Sequence, residues 1–267
     1  MNKKKLLSLA LGLSLTLSLA ACGEKPAEAV TLKVAASSTP HAEILAVVKD
    51  TLAEQGIDLQ VTAYTDYVIP NTAVEEGAED ANYFQHTPYM EDFNAKNGTH
   101  LVNAGGVHVE PMGIYAGKCA SLDALPDGAT IAIPNDATNE GRALLLLEAQ
   151  GLIKLKADAG LVAMPKDIAE NPKNLEFLEL EAAMLPNGVD EVDLSVINCN
   201  YALEAGFNPV KDALAIEAAD SPYVNIISVK EGHEKDPAVV ALVEALHSDA
   251  VRTFIEETYK GAVVPAF

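Results

Sequence analysis

The sequence predicts an α/β protein folded as two lobes. Strand-like runs alternate with segments of helical period from residue 30 to the end of the chain, and successive strand–helix–strand units form parallel sheets covered by helices. About 240 residues follow the first segment, enough for two domains of ordinary size. We expect the chain to pass between the lobes twice, at 110–115 and near 221–229. One larger α/β domain is the alternative that the pattern leaves open.

The first elements have this pattern in its simplest form. Residues 30–37 alternate apolar and polar side chains, as a half-buried strand does. Thr39 and Pro40 suit the cap and the first position of a helix, which Gly56 ends before a second strand at 57–64. The apolar side chains of this helix keep helical spacing: Ile44, Leu45, Val48 and Leu52. The chain therefore opens as strand, helix and strand.

The alternation continues to the C-terminus. Helices are predicted at 88–98 with Thr87 as cap, at 138–151, at 201–207 and over 236–260. Strands are predicted at 129–136, 192–200 and 223–229, and 100–117 is strand material interrupted at Gly105–Gly106 and Pro111. With these elements, the first lobe comprises 30–112 plus 228–267, and the second comprises 113–227.

The N-terminal segment is typical of a secretory signal peptide. Three lysines precede a largely apolar run at 6–19, which is too short for a stable bilayer-spanning helix. The run ends in "LAAC", which resembles the lipobox of bacterial lipoproteins. We therefore predict a signal peptide at 1–21, a lipidated Cys22 and a tether at 22–29 on the membrane surface, facing the periplasm or the cell exterior. The alternative is an ordinary signal peptide with an incidental cysteine.

The charge of the remaining chain restricts its partners. Without the three lysines of the signal segment it has 15 basic side chains against 39 acidic ones. Such a surface argues against nucleic acid and polyanionic substrates, but it does not oppose a neutral or zwitterionic ligand. Cys119 and Cys199 could pair in an oxidising compartment, and the sequence leaves that disulfide open.

The sequence contains none of the familiar catalytic motifs. It has no G-x-S-x-G, H-E-x-x-H or C-x-x-C motif and no glycine-rich phosphate loop. Its six histidines are scattered, with no pair at the spacing that favours a metal. We therefore predict a protein that is not an enzyme and that holds no cofactor or metal.

Arginine is rare in this chain, and Arg142 lies near the start of the helix at 138–151. A cation is mildly unfavourable near a helix N-terminus unless an anion completes the site. The planar guanidinium and the free N–H groups there both suit a carboxylate. The sequence thus indicates a carboxylate-binding site. The alternative is a surface ion pair of Arg142 with Glu140 or Glu148.

Asparagines occur at the ends of two predicted strands. Asn198 and Asn200 flank Cys199, and Asn225 lies within an apolar run, where asparagine is unfavourable. Amide side chains have a donor and an acceptor end, so they can bind both charged groups of an amino acid. For Asn198 we expect the simpler role of a buried turn cap.

Aromatic residues cluster between residues 64 and 93, although the chain has only 6 Phe, 8 Tyr and no Trp. Tyr83 and Phe93 are expected in the core. Tyr67 lies in a loop, and Phe84 and His86 precede a helix start. Loops that follow strands of open α/β sheets are where ligands bind. These side chains would suit an apolar or thioether group.

Four stretches together resemble a known family: "DANYFQHTPYM", the long run from "PMGIYAGKC" through "TNEGRALLLLEAQGLI", "NCNYALEAGF" and "SPYVNIISV". They are similar to the NlpA lipoprotein family, the methionine-binding lipoproteins of ABC importers. The resemblance runs in order over the whole chain after the signal peptide. It implies a periplasmic-binding-protein fold whose two lobes close on the ligand, and a membrane permease and an ATPase as partners.

The resemblance also implies roles for individual residues. The methionine side chain would be surrounded by Tyr67, Phe84, His86 and Tyr89. Arg142 would bind the carboxylate, and Asn200 and Asn225 would fix the α-amino and carboxylate groups. Apolar walls would thus come from the first lobe and polar anchors from the second.

Two departures from the family pattern leave the ligand open. This chain has "NCN" where members usually have N-T-N, and its "LPNGVDEVD" lacks a basic residue often found after Leu-Pro. The resemblance allows L-methionine, D-methionine or a methionine-containing dipeptide. The alternatives are a binding protein for another apolar amino acid or short peptide, or a secreted lipoprotein enzyme.

Overall fold

The computed structural model describes residues 29–218 and 221–267. The predicted signal peptide, Cys22 and the tether up to residue 28 lie outside these residues. In chain order the strands are β1 (Val30–Ser37), β2 (Ile57–Tyr64), β3 (Ala81–His86), β4 (Leu101–Val109), β5 (Gly113–Ala116), β6 (Thr130–Pro134), β7 (Lys154–Leu155), β8 (Ile168–Glu170), β9 (Glu176–Leu180), β10 (Leu194–Ile197), β11 (Ala213–Ile216), β12 (Val224–Lys230) and β13 (Val264–Pro265).

The helices are α1 (Glu43–Glu54), α2 (Ile69–Glu75), α3 (Thr87–Asn97), α4 (Ala137–Ala149), α5 (Cys199–Glu204), α6 (Pro209–Asp212), α7 (Pro237–Leu246) and α8 (Asp249–Tyr259). Shorter turns of helix occupy Ser38–Ala42, Gly160–Val162, Pro165–Asp167 and Ala182–Glu191. Within the described ranges, no helix has both the length and the apolar character needed to cross a membrane.

The first lobe is built on a six-stranded sheet in the order β13-β4-β12-β3-β1-β2. β1 runs parallel to β2 and β3, whereas β12 runs antiparallel to β3 and β4. Apolar side chains of α1, α7 and α8 pack with the sheet in one core. A smaller cluster joins Val74 of α2 and Met90 of α3 to Leu101 and Ile226.

The second lobe is built on a five-stranded sheet in the order β11-β5-β10-β6-β9. β6 runs parallel to β9 and β10, while β5 is antiparallel to β10 and β11. The leucine-rich face of α4 packs with this sheet in one core. A second cluster joins Tyr115, Leu185 and Tyr201. Each lobe thus buries its own apolar surface, as the α/β prediction of two lobes requires.

The chain passes between the lobes twice, after β4 and again between β11 and β12. The second passage comes earlier than predicted. Residues 224–227 were assigned to the second lobe, but they begin β12, which pairs with β3 and β4 of the first sheet. The predicted boundary at 228 is therefore wrong, because the whole strand Val224–Lys230 follows the sheet that it completes.

Two local predictions also differ from the structure. β4 continues through Gly105 and Gly106 instead of stopping there, and the register between β4 and β12 shifts at these glycines. A Cβ atom at Gly105 would lie 2.6 Å from Cγ1 of Val243 on α7, so glycine admits the helix. Thr39 is not a helix cap, since it lies inside the turn Ser38–Ala42 with extended backbone angles, and α1 begins at Glu43.

Gly141 in α4 tests how closely the second lobe is packed. A Cβ atom there would lie 2.3 Å from the carbonyl oxygen of Leu161, so Gly141→Ala should lower the free energy of unfolding by about 1–3 kcal/mol through overpacking. Without this contact, alanine in a helix would be favourable. Urea unfolding at one pH measures the change.

Gly188→Ala is the matched control, because a Cβ atom at Gly188 meets no atom within 4 Å. It should change the free energy of unfolding by less than about 0.5 kcal/mol. Equal stability of the Gly141→Ala variant and the unmodified protein would contradict the packing described for α4.

Candidate functional site

One cavity lies between the two lobes, and all seven predicted ligand-binding residues line it. We call it the central cavity; its empty space, including the open solvent at its mouth, is about 340 Å³. Its lining residues are Tyr67, Phe84, Gln85, His86, Tyr89, Glu110, Asn139, Arg142, Asn198, Cys199, Asn200 and Asn225. The structure therefore brings together residues that are more than 150 positions apart in the sequence.

Tyr67 is the centre of an aromatic wall. Its ring lies 5.7 Å from those of Phe84 and Tyr89 and 5.0 Å from that of Tyr201, between ring centroids. Its hydroxyl donates to Oδ1 of Asn200 at 2.6 Å, and its carbonyl accepts from the Tyr89 hydroxyl at 3.1 Å. Tyr67 thus connects the aromatic side chains of the first lobe to an amide of the second.

His86 ends β3 and begins α3. Its Nδ1 accepts from the backbone N–H of Tyr89 at 3.2 Å, so His86 and not Thr87 is the N-cap of this helix. Its Nε2 donates across the cavity to Oδ1 of Asn139 at 3.4 Å. Burial first, and then the charge of Arg142, lower its pKa to about 3. His86 is consequently a neutral donor at neutral pH, with both ring nitrogens in use.

Arg142 is buried and is held by both segments that join the lobes. Its Nε donates to both carboxylate oxygens of Glu217 at 3.1 Å, and its Nη2 donates to the carbonyl of Glu110 at 2.6 Å. The guanidinium also lies 4.4 Å from the ring centroid of Tyr223. The alternative ion pair with Glu140 or Glu148 is wrong; the partner is Glu217.

The sequence analysis missed Glu217, because nothing distinguishes it locally from the other acidic residues of this chain. Glu217 follows β11 at the second passage between the lobes. Arg142 is the sixth residue of α4 rather than part of its first turn. Its Nη1 has no hydrogen-bond partner among the described residues, so that edge of the guanidinium is available to a carboxylate.

The three asparagines of the prediction lie in different environments. Asn200 gives its Oδ1 to the Tyr67 hydroxyl, and its Nδ2 is buried without a partner in the described chain. The Oδ1 of Asn225 accepts from Nε2 of His41 at 3.0 Å. Asn225 belongs to β12, so the polar anchors do not all come from the second lobe as predicted.

Asn198 does not act as a turn cap. It occupies the N-cap position of α5, but its side chain makes no capping hydrogen bond. Its Nδ2 instead donates to Oδ1 of Asn139 at 2.9 Å, and its Oδ1 is buried without a partner in the described chain. Asn198 and Asn139 are therefore polar members of the cavity wall that the sequence analysis did not assign.

A buried group of two histidines and a carboxylate lies beside the cavity. His41, His108 and Glu110 place one donor atom each within 4.8 Å of one another, although they are not at the sequence spacing of a metal motif. The structure thus forms a possible metal-ligand set that the scan of local spacings missed. Burial lowers the pKa of His41 to about 4 and that of His108 to about 3. Burial also raises the pKa of Glu110.

The two cysteines are free and buried. Cys119 packs in the core of the second lobe and Cys199 in that of the first, so the disulfide that the sequence left open is absent from this conformation. The Sγ of Cys199 donates to the carbonyl of Ala262 at 3.3 Å. Burial raises the pKa of Cys199 well above its usual value, which keeps the thiol protonated and unreactive.

An enclosed cavity between two α/β lobes, with an aromatic wall and a buried arginine, defines a periplasmic substrate-binding protein. The comparisons with known proteins specify the family. A family model described as NlpA lipoprotein matches residues 32–267. The chain therefore belongs to the NlpA lipoprotein family, whose characterised members are substrate-binding lipoproteins and not enzymes.

Individual relatives cover nearly the whole chain. It is 44% identical to the methionine-binding lipoprotein MetQ of Bacillus subtilis, over 92% of this chain and 93% of the relative. It is 40% identical to the D-methionine-binding lipoprotein MetQ of Salmonella typhimurium, over 93% of each. A solved nutrient-binding protein from Burkholderia cenocepacia bound to methionine is 45% identical, with a TM-score of 0.86, over 88% of this chain and 100% of that one.

Glu140, beside the site on α4, gives a pH-dependent prediction. It is 2% exposed, and its Oε1 is buried without a partner in the described chain. Burial first, and then Glu179 and Asp136, raise its pKa to about 7. Because this pKa lies above that of an unfolded glutamate, ionisation of Glu140 destabilises the folded state progressively from about pH 4.5 to about pH 7.

Replacement of Glu140 by glutamine removes this ionisation. The Glu140→Gln variant should therefore gain more stability over the unmodified protein at pH 8 than at pH 5, as urea unfolding at the two pH values would measure. Glu257→Gln, at an exposed position of α8, should show the same small difference at both. A Glu140→Gln advantage that shrank at pH 8 would mean that the pKa of Glu140 is lowered in the folded state instead of raised.

Proposed function

We propose that this protein captures methionine in the central cavity and delivers it to the permease and ATPase of an ABC importer. The cargo is L-methionine, D-methionine or a methionine-containing dipeptide. Lipid on Cys22 anchors the protein to the cell membrane, where it faces the periplasm or the cell exterior. The named relatives support this function. The observation that carries it is the meeting of an aromatic wall and a buried arginine in one cavity of about 340 Å³.

The two ends of the cavity fit the two ends of methionine. The Nη1 edge of Arg142 and the amide N–H groups of Asn200 and Asn225 bind the carboxylate, since all of them are donors. The thioether lies against Tyr67, Phe84, His86 and Tyr89, where sulfur–aromatic contacts are worth about 0.3–1.5 kcal/mol each. The cavity volume is also at the lower end of the range of small-molecule sites, about 300–1,000 Å³.

Closure of the lobes would retain the ligand. Tyr67 and Asn200 meet across the cavity, as do His86 and Asn139, and the Tyr201 hydroxyl donates to the carbonyl of Thr65 at 3.2 Å. These contacts form only when the lobes are together. The closed surface is then what the permease would recognise, so that delivery follows binding. No catalytic step is part of this proposal.

Arg142→Ala tests the carboxylate site. Loss of a charge-assisted hydrogen-bonding group costs about 1.5–3 kcal/mol, so the Kd for methionine should rise about 10- to 150-fold. The measurement is calorimetric titration of purified protein, unfolded and refolded to remove carried-over ligand. L-methionine, D-methionine, Gly-Met and leucine are compared to identify the cargo.

Arg252→Ala is the matched control, because Arg252 is the other arginine of the chain and lies over the ring of Phe267 away from the cavity. It should bind methionine as the unmodified protein does. No heat from any of the four compounds would refute the methionine proposal. Equal weakening in both arginine variants would refute the role of Arg142.

The aromatic wall is tested by the ligand's sulfur atom. Norleucine has a methylene group where methionine has sulfur, so the unmodified protein should prefer methionine by about 0.3–1.5 kcal/mol per sulfur–aromatic contact. Phe84→Leu removes one ring from the wall, and it should reduce this preference more than it reduces the melting temperature. Competition between the two ligands in calorimetry gives the ratio of the two Kd values. An undiminished preference would place the thioether elsewhere.

A further inference from the structure

The central cavity offers many donors but few acceptors for a ligand. The Oδ1 atoms of Asn200 and Asn225 are occupied by Tyr67 and His41. The Oδ1 of Asn139 accepts from Asn198 and His86. The amides of Asn200 and Asn225 therefore present their N–H groups to a ligand. An α-ammonium group has three N–H donors and needs acceptors, so these two amides do not explain how it would be bound.

Glu110 is the acidic residue in the lining of the central cavity. It ends the first lobe where the chain first passes to the second, directly after β4. Its side chain is 6% exposed, and a buried carboxylate is costly unless it is paired. The backbone carbonyl of Glu110 is occupied by Arg142, which fixes the residue at the base of the cavity.

Two imidazole groups hold one oxygen of this carboxylate. Nε2 of His108 donates to Oε1 of Glu110 at 2.8 Å, and Nε2 of His41 lies 3.1 Å from the same oxygen. The Tyr83 hydroxyl contacts Nδ1 of His108, which leaves the proton of that ring on Nε2. Oε2 has no side-chain hydrogen bond to the described residues, so it is the oxygen available to the cavity.

The same arrangement sets the orientation of Asn225. Because Nε2 of His41 lies against a carboxylate oxygen, that nitrogen carries a proton. It can then face only an acceptor on Asn225, and the structure places Oδ1 there at 3.0 Å. The N–H₂ end of Asn225 is thereby directed to the ligand's carboxylate. Glu110 thus decides, through His41, which end of the neighbouring amide the ligand meets.

We propose that Glu110 is the acceptor for the α-ammonium of the ligand, with His41 and His108 as the positioning residues for its carboxylate. This inference rests on the proposed methionine function and makes it more specific. The site requires a ligand with a protonated amine beside a free carboxylate. The positive ammonium also supplies the counter-charge that the buried carboxylate otherwise lacks, beyond the more distant guanidinium of Arg142.

The test compares two ligands in two proteins. L-methionine and 4-(methylthio)butanoate differ only in the amino group, and Glu110→Gln keeps the shape of the side chain while removing its charge. The unmodified protein should bind methionine at least about tenfold more tightly than the butanoate, as a charge-assisted hydrogen bond predicts. In Glu110→Gln, methionine affinity should fall about as much, while butanoate affinity should stay the same or rise.

Controls separate binding from folding. Glu79→Gln changes another buried glutamate of the first lobe, at 7% exposure and away from the cavity, and it should leave both affinities unchanged. Glu110→Asp retains the charge on a shorter side chain and should lose affinity for methionine alone. It replaces Glu110→Gln in the comparison if melting curves show that the glutamine variant does not fold.

The outcomes are distinct. Equal loss for both ligands, or no loss for either, would overturn the inference and leave the methionine proposal standing. If the unmodified protein bound neither compound, the methionine proposal would fail and the inference with it. Titration with Zn²⁺ in the absence of methionine addresses the metal-like spacing of the same group. Tight binding of one Zn²⁺ per chain, abolished in His108→Gln, would assign His41, His108 and Glu110 to a metal instead and would also overturn the inference.

Discussion

A buried cation is the constraint around which the two lobes are arranged. The guanidinium of Arg142 sits on α4 of the second lobe, yet its partners are Glu217 and the carbonyl of Glu110, one at each passage between the lobes. A charge removed from water must keep its partners, because an unpaired buried charge costs several kcal/mol. The position of α4, the course of both connecting segments and the base of the cavity are therefore linked through one side chain.

The rest of the cavity divides into apolar and polar regions that depend on this arrangement. The rings of Tyr67, Phe84 and Tyr89 pack mainly on one another, so they form a wall without help from the second lobe. The amides and the carboxylate of Glu110 belong to hydrogen-bonded chains instead. In such chains each group fixes the orientation of the next, as Glu110 does for His41 and Asn225. Rigid apolar packing and directional hydrogen bonds together shape the cavity.

The sequence predicted the parts of the fold that local patterns determine. β1 and β2 occupy the predicted residues, because alternation and helical spacing are local properties. The aromatic residues, Arg142, Asn200 and Asn225 were found because their residue types are unusual at those positions. Glu110, Glu217, His41 and His108 were not assigned, since their importance arises only from distant neighbours. An acidic residue among 39 has no local signal, and neither has a histidine whose partner lies more than 60 positions away.

The contacts across the cavity bear on how fast a ligand leaves. Tyr67 with Asn200, His86 with Asn139, and Tyr201 with Thr65 all join the lobes around the enclosed space. A molecule held inside must wait until these contacts break together. Its residence time is then set by the opening of the protein as well as by its own interactions. Relatives that keep the same lining but alter these bridges could therefore share a cargo and differ in the time for which they hold it.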